Sequence, residues 1–428
     1  MAHAESTRGV WRGRYMRPDG TRGSTPSFST RKLALSAAQD EESRIRHNTW
    51  TDPRLAERPF GEFAEDWFKA VCPRLAPSTV AKYRSHLDRQ ILPTWAAWPM
   101  IAIFNSHLEI EKWVSELCED HAESSVASYF ALFSTVMTAA VRARVIPASP
   151  CSGIRVTSGG YETEKYVATP VQGLRAAMRL HETTGLSGFV LCLLDLYTGA
   201  RWGELVGQTA EEYNPDTGAI ALHRPLKEVG GKLVKDGQSV QETTDLLSSS
   251  RRPRRKRTGR GKTASSERWV TLPPSMAVLY ELLLDSHDHE FSFTAPEGGG
   301  LYRGHFRERF WRPAWDGVDA DDPDSPAHQP PILRWFTFHE GRHTQSTWLA
   351  DDDVPEVARR ARLGHKMPGI ARVYEHVTPE MEQRVSDVLE ARWDASLLAL
   401  DANERETLVG LLPHLGPVIA DLEENRAA

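Results

Sequence analysis

Clustered cysteines are missing from this chain. Cys72, Cys118, Cys151 and Cys192 stand far apart, without the paired spacing of a zinc site or the density of a disulfide scaffold, so reduced thiols are expected. Long apolar runs are missing too. A membrane helix needs roughly 20 uninterrupted apolar residues, and the run Phe189 to Leu196 is short and contains Asp195; it reads as a buried helix, and no membrane partner is expected. No apolar stretch follows Met1, where His3, Glu5 and Arg8 stand instead, so no secretory signal is visible and a cytoplasmic location is expected. A strong excess of one charge is also lacking, at a net −6, but that average hides asymmetry along the chain. Between Arg251 and Lys262 stand eight Arg or Lys and no acid, whereas Pro379 to Ala428 holds eleven acids against four Arg. Distribution matters more than the sum for a nucleic-acid partner, and the basic block is suited to touch phosphate. It also has a plain reading as a solvated run.

At 428 residues the chain is too long for one ordinary core, and two to four domains are the reasonable expectation. The opening segment sets Val10, Trp11 and Tyr15 among Arg8, Arg12, Arg14 and Arg17, then turns at Pro18-Asp19-Gly20 toward Arg22 and Phe28. That is hairpin patterning with a basic face. Arg31 to Arg46 suits a helix, and Asp52-Pro53 marks a linker. From Pro59 to about Arg155 the period turns helical: Phe60, Phe63, Trp67 and Phe68 recur at helical spacing. Ser78 to Leu92 carries Lys82 and Arg84, and Ser124 to Arg144 carries Tyr129, Phe130, Phe133, Val136 and Met137. Both helices suit the lining of a duplex or, equally, a solvated bundle. After a break at Gly159-Gly160, a third region runs to about Trp393, with strands expected at Gly218 to His223 and Arg268 to Leu272. Two loops, Glu242 to Gly261 and Asp316 to Pro331, interrupt it and are expected to be mobile.

Three strings in that region carry the chemistry. They are Thr198-Gly199-Ala200-Arg201-Trp202-Gly203-Glu204-Leu205, Thr337-Phe338-His339-Glu340-Gly341-Arg342-His343-Thr344, and Leu363-Gly364-His365 followed by Tyr374-Glu375-His376-Val377. In this order the set resembles the tyrosine recombinases of the phage-integrase type, which read as an Arg in a TGxRxxE box, a hairpin Lys, HxxR, LGH and a terminal Tyr. Any one string alone is weak. A lone Arg with an acid three residues later is more often a surface pair, and a lone Tyr near a helix end is more often core; the ordered conjunction carries the resemblance. It implies a multidomain, mainly α protein with small β elements. A small β-rich arm-type DNA-binding module at 1–56 would precede an α-helical core-binding (SAM-like) domain at 57–157. An α+β catalytic domain at 160–395 and an acidic tail at 396–428 would follow.

Carried over residue by residue, the resemblance implies that Arg201 and Arg342 grip the scissile phosphate, planar charged forks being suited to that task. Tyr374 would attack phosphorus and hold the strand as a 3′-phosphotyrosine, so that no cofactor is needed. Lys262, before the Arg268-Trp269-Val270-Thr271-Leu272 alternation, would protonate the leaving 5′ oxygen, with Lys232, Lys235 and Lys256 as rivals. His339 and His365 would bond the phosphate or assist proton transfer, and Glu204 would orient an Arg or His. Arg12, Arg14, Arg22, Lys82, Arg84, Arg254, Arg255 and Arg257 are candidates for DNA contact. The implied partners are double-stranded attachment sites, four copies of the chain on DNA, and a directionality factor. The chain departs from the pattern twice: Gly341 stands where the family has an apolar residue, at roughly 1 kcal/mol of helix propensity, and Pro368 interrupts the approach to Tyr374.

Two other readings stay open on sequence. His339-Glu340-Gly341-Arg342-His343 also fits HExxH, the zinc-protease signature, although no third ligand stands at a familiar distance and Arg201, Lys262 and Tyr374 are left without a role. A DNA-binding regulator that does not cut would keep the basic surfaces without using the nucleophile. Residues past Tyr374 carry apolar faces, Val385, Val388 and Leu389 and then Leu408, Leu411, Leu412 and Leu415, which either dock on a neighbouring copy or merely end the chain.

Overall fold

The computed structural model describes residues 2–7, 9–47, 49–156, 166–235, 238–240, 267–319, 328–365 and 376–427. The chain forms two compact units, Met1–Glu162 and Thr163–Ala428.

The first unit opens with an antiparallel sheet of β1 (His3–Thr7), β2 (Val10–Met16) and β3 (Arg22–Phe28) under helix α1 (Arg31–Arg46). Gly13 and Tyr15 are buried on β2, with Gly23 and Thr25 on β3, so alternation leaves Arg12, Arg14 and Arg22 on the open face. β1 is polar except for Ala4, and the hairpin expectation missed it for want of an apolar alternation. α1 starts where the Thr30 hydroxyl accepts from the Leu33 amide, and it lays Ala34 and Ala38 against the sheet.

Four longer helices follow, α2 (Phe60–Val71), α3 (Pro77–His86), α4 (His107–Asp120) and α5 (Glu123–Arg142). Phe60, Phe63, Ala64 and Phe68 form one stripe of α2 and meet a cluster in which the rings of Trp95, Trp113 and Phe133 lie 5.2–5.8 Å apart. By length and composition α5 is apolar enough to cross a membrane. Val126, Leu132, Phe133, Val136, Met137 and Ala140 on it are instead buried in this helical core, which accounts for its apolarity.

The second unit is built around α6 (Pro170–Thr198), whose residues from Ser187 to Thr198 are all buried. The short apolar run from Phe189 to Leu196 read as a buried helix lies in this one. α6 kinks at Gly185, where φ is 61°. One small antiparallel sheet joins β4 (Tyr213–Asn214), β5 (Ala219–Leu222) and, after the long connection, β9 (Arg268–Thr271). A second joins β6 (Lys227–Val229), β7 (Lys232–Lys235) and β8 (Gln238–Ser239). The sequence reading passed over this second sheet, whose signal was the Gly230-Gly231 pair with φ of 58° and 76°, a turn that suits a tight hairpin. The site-bearing helices α7 (Trp202–Leu205), α8 (Pro274–Asp285), α9 (Phe338–Asp351) and α10 (Glu356–Leu363) pack around α6 and the first sheet. The expected loop Glu242 to Gly261, the break at Gly159-Gly160 and Pro368 lie outside the described residues.

α11 (Pro379–Leu398), α12 (Ala402–Leu411) and α13 (Leu415–Ala427) close the unit. The acidic segment from 396 is not set apart as expected: Leu397, Leu400, Leu408, Leu412, Leu415 and Ile419 are buried in the same core as α6. Arg175 on α6 grips Glu404 through two bonds of 2.6 and 3.0 Å. The acids face water while the leucines at helical spacing face inward, so charge composition misled where periodicity did not.

Candidate active site

Helix α6 ends at Gly199, left-handed with φ 57°, and a Cβ there would stand 2.3 Å from the Gln345 Oε1. Only glycine meets both conditions. The chain then extends through Arg201 into α7, and Glu204, three residues on, reaches back to accept the Arg201 amide at 2.9 Å, a carboxylate closing the helix start. Its other oxygen accepts from the Arg201 Nη1 at 2.9 Å. Glu204 is buried, while the Arg201 side chain is 43 % exposed. The held arginine therefore presents its remaining donors to solvent.

α9 begins at Thr337, whose amide donates to Glu340, so the acid of the HExxH string is spent closing the helix start. One turn in, Arg342 is 4 % exposed. Its Nη1 donates to the Gly199 carbonyl at 2.7 Å, and its Nη2 to the Leu363 carbonyl and to the His365 Nε2 at 2.8 Å. An arginine only donates, so Nε2 of His365 is the acceptor and the ring proton sits on Nδ1. α10 stops at Gly364, left-handed with φ 65°, and the His365 amide returns to the Arg360 carbonyl at 2.8 Å. That turn sets the imidazole against the guanidinium.

The cations crowd. Burial, then Arg201 and Arg268, pulls Arg342 down to about 10, still a cation at neutral pH. Burial, then His343, Arg342, Arg303 and Arg201, lowers His339; burial, then Arg342 and Arg201, lowers His365. Both imidazoles are thus biased to the neutral form. For Glu204, burial acts upward and is outweighed by Arg268 and Arg201, which leave its carboxyl below the usual range. The structure brings Arg201, Glu204, His339, Arg342 and His365 together in this one electrostatic neighbourhood.

Sequence reasoning missed two arginines here. Arg268 opens β9, donates from Nε to the Arg362 carbonyl and lies 3.3 Å from Glu204 through Nη2. Arg362 on α10 is half-buried and donates to the Thr271 and Tyr197 carbonyls, each at 2.9 Å; burial, then Arg268, brings it down to about 9. The signal for Arg268 was in the alternation: Trp269 points outward and Val270 inward, which puts an arginine at an inward position. A third missed group is Asp195, fully buried on α6 with neither carboxyl oxygen hydrogen-bonded. Burial, against the pull of Arg342, holds it well above the ordinary range, which favours the protonated form. It explains Gly341: a Cβ on that residue would lie 2.0 Å from the Asp195 Oδ2. The position lacks a side chain because a carboxyl from α6 fills the space.

Lys262, Lys256, Arg254, Arg255, Arg257 and Tyr374 lie outside the described residues. Of the rival lysines, Lys235 is committed to Glu212 at 2.9 Å and to the Gly207 carbonyl, whereas Lys232 is exposed beside the Gly-Gly turn. In the first unit Arg12 and Arg22 are exposed, Arg14 binds Glu5 at 2.6 Å, and Arg84 is tied to Glu65 and Asp88. The His339 and His343 rings meet edge to face at 5.1 Å. Among the described residues no group of three His, Cys, Asp or Glu is placed to hold a metal ion, so the third ligand a zinc protease requires is lacking there.

Comparison with known proteins fits this geometry. Residues 59–118 match the phage integrase N-terminal SAM-like domain. The chain is 23 % identical over 401 residues to a putative prophage phiRv2 integrase of Mycobacterium tuberculosis, covering 89 % of this chain and 92 % of that one. It is 22 % identical over 392 residues to the integrase of Mycobacterium phage L5, covering 88 % and 93 %. Among solved structures it is similar to the Tn1549 transposon integrase in complex with a circular intermediate DNA, with TM-score 0.56, 14 % identity and coverage of 77 % and 99 %. It is similar also to a lambda integrase tetramer bound to a Holliday junction, with TM-score 0.50, 15 % identity and coverage of 88 % and 98 %. The fold is that of the tyrosine recombinases. In its SAM-like region and along most of its length, the chain is similar to integrases of phage type.

Proposed function

We propose that this chain is a site-specific DNA recombinase that integrates or excises a mobile element through a 3′-phosphotyrosine intermediate. The observation that carries the reading is the convergence of Arg201 and Arg342 with two neutral imidazoles, in the order the family uses. In this reading both guanidiniums bind the non-bridging oxygens of the scissile phosphate, where negative charge grows as a fifth oxygen approaches phosphorus. Fixed cations stabilise that charge without reorganising, and loss of one such donor costs about 100- to 1000-fold in rate.

The Tyr374 oxygen forms the new bond to phosphorus and gives up its proton, with His339 as the neutral acceptor. The bond from phosphorus to the 5′ oxygen breaks, and that oxygen takes a proton from Lys262. Rejoining reverses each transfer, so bond energy is conserved and no nucleotide is consumed. His365, whose Nε2 is occupied by Arg342, offers its Nδ1–H as donor.

The partner is double-stranded DNA carrying the attachment sites. The open face of the β1–β3 sheet, with Arg12, Arg14 and Arg22, is suited to arm-type sites. Residues 57–157 would act as the core-binding domain and 160–395 as the catalytic domain, with four copies acting on two duplexes and a directionality factor choosing the outcome. The reading also implies association with the nucleoid. Its test is covalent trapping: on a nicked duplex carrying the junction beside the gene, the wild-type chain forms a denaturation-resistant adduct and Tyr374→Phe forms none. Site-specific binding without any adduct would make the chain a regulator instead, and recombination lost on chelation would favour the metal reading.

A further inference from the structure

We infer that Arg268 is a positioning residue for strand cleavage: from the start of β9 it holds Glu204, and through it Arg201, in register with the turn that presents His365. The inference rests on the recombinase reading above. A chain of hydrogen bonds defines it. The two oxygens of Glu204 serve the Arg201 side chain and amide, at 2.9 Å each, and the second also takes the Arg268 Nη2 at 3.3 Å. From its other edge, the Arg268 Nε donates to the Arg362 carbonyl. The next carbonyl along, that of Leu363, accepts from Arg342. Both belong to the last turn of α10, whose carbonyls have no partner within the helix and favour cations.

One guanidinium therefore joins β9, α7 and α10, the elements that carry or adjoin Arg201, His365 and the carbonyl seating Arg342. Only a fork does this. A lysine supplies the charge but a single point of attachment, and it does not span Glu204 and the Arg362 carbonyl together. The cationic groups acting on Glu204 are Arg201 from its own helix start, Arg268 from β9 and Arg342 from α9. Without Arg268, burial acts on the Glu204 carboxyl with less opposition, it takes up a proton at higher pH, and Arg201 loses its anchor.

The experiment uses the full chain and the nicked junction duplex, measuring single-turnover adduct formation at saturating protein between about pH 5.5 and 8.5. DNA affinity and thermal unfolding are measured on the same samples. In Arg268→Met we expect cleavage slower by on the order of 10- to 100-fold with affinity retained, and a further loss as pH falls that the wild type does not show. Adding Glu204→Gln should abolish that extra pH dependence, and Arg268→Lys should recover part of the rate. Should the Met variant fail to fold, the Lys variant carries the comparison through its own slower rate and acid loss. Cleavage at the wild-type rate in both variants, or a slowdown equal at every pH with Lys no better than Met, overturns the inference. A wild-type chain that forms no adduct overturns the recombinase reading itself, an outcome visible before any variant is compared.

Discussion

Giving Gly341 a side chain tests how α9 is seated on α6. A methyl there would stand 2.0, 2.5 and 2.9 Å from the three heavy atoms of the Asp195 carboxyl, and Asp195 has no room to withdraw because it is fully buried. Overpacking of this kind costs about 1–3 kcal/mol, against a gain of about 1 kcal/mol from replacing glycine by alanine inside a helix. Gly341→Ala alone should thus be neutral to destabilising by about 2 kcal/mol. In an Asp195→Ala background the obstructing carboxyl is gone, only the propensity gain remains, and the same change should stabilise by about 1 kcal/mol. The double-mutant cycle then yields a coupling of about 1–3 kcal/mol. Two compact units make global unfolding a poor readout; hydrogen exchange of the α9 amides reports local opening instead. Equal effects of Gly341→Ala in the two backgrounds, within about 0.5 kcal/mol, would refute the packing argument. A pH dependence accompanies it. The folded chain holds the Asp195 proton that the unfolded chain releases above about pH 4, so the penalty of burying this acid grows as pH rises from there. The advantage of Asp195→Asn over the wild type should accordingly be larger at about pH 8 than at about pH 4.

Three further outcomes follow from the described geometry. The free-protein His365 imidazole should titrate below the ordinary value of about 6.5 and, when neutral, carry its proton on Nδ1, which nitrogen-edited spectra of histidine-labelled chain can read; a ring protonated on Nε2 contradicts the Arg342 bond. Leu408→Ala, at a residue fully buried in the catalytic unit, should cost about 2–5 kcal/mol by hydrogen exchange of α12 and α6, whereas a detached tail would show no loss in α6. Lys82→Ala should lower the slope of log affinity against log salt by about one phosphate. Arg84→Ala should leave that slope nearly unchanged, because Arg84 is already neutralised by Glu65 and Asp88; a larger change for Arg84 reverses the assignment.

Legibility differed by the kind of signal each segment sends. Where one period governs a segment, sequence and structure agree closely: α1 spans the expected Arg31–Arg46, β9 covers Arg268–Thr271, and the apolar run after Phe189 is buried along its length. Polar β1 and the short strands β6 to β8 send no apolar alternation, and their pairing is decided by turns and neighbours. In the acidic tail two signals conflict: its charge suggested a segment set apart, whereas Leu408, Leu412 and Leu415, on the apolar face already visible in the sequence, are buried in the core. At the site, the strings single out Arg201, Glu204, His339, Arg342 and His365 as candidates, because residue type and local spacing are what such a pattern encodes. Arg268, Arg362 and Asp195 were illegible as site groups because each acts through a partner distant in sequence. Glu204 and Arg268 are 64 positions apart, and no local pattern encodes such a pair. Gly341 read as a defect until its partner on α6 was visible.

The same long-range pairs explain how so many cations are tolerated in one buried neighbourhood. Arg201 and Arg268 depress Arg342, Arg268 depresses Arg362, and Glu204 is the carboxylate that answers Arg201 and Arg268 directly. Asp195 is a weaker countercharge, because burial raises its pKa well above the ordinary range. What stabilises Arg342 and Arg362 instead is a set of backbone carbonyls, Gly199 and Leu363 for one and Tyr197 and Thr271 for the other. These dipoles occupy only part of each fork and carry no net charge, so they fix the guanidiniums in place while leaving their positive potential unneutralised. A cluster answered by carboxylates would be more stable when empty and would bind phosphate weakly, because each incoming anion would have to displace an acid. Seating arginines on helix-terminal carbonyls avoids that competition, and it is why the glycines that end α6 and α10 matter as much to the site as the charged residues beside them.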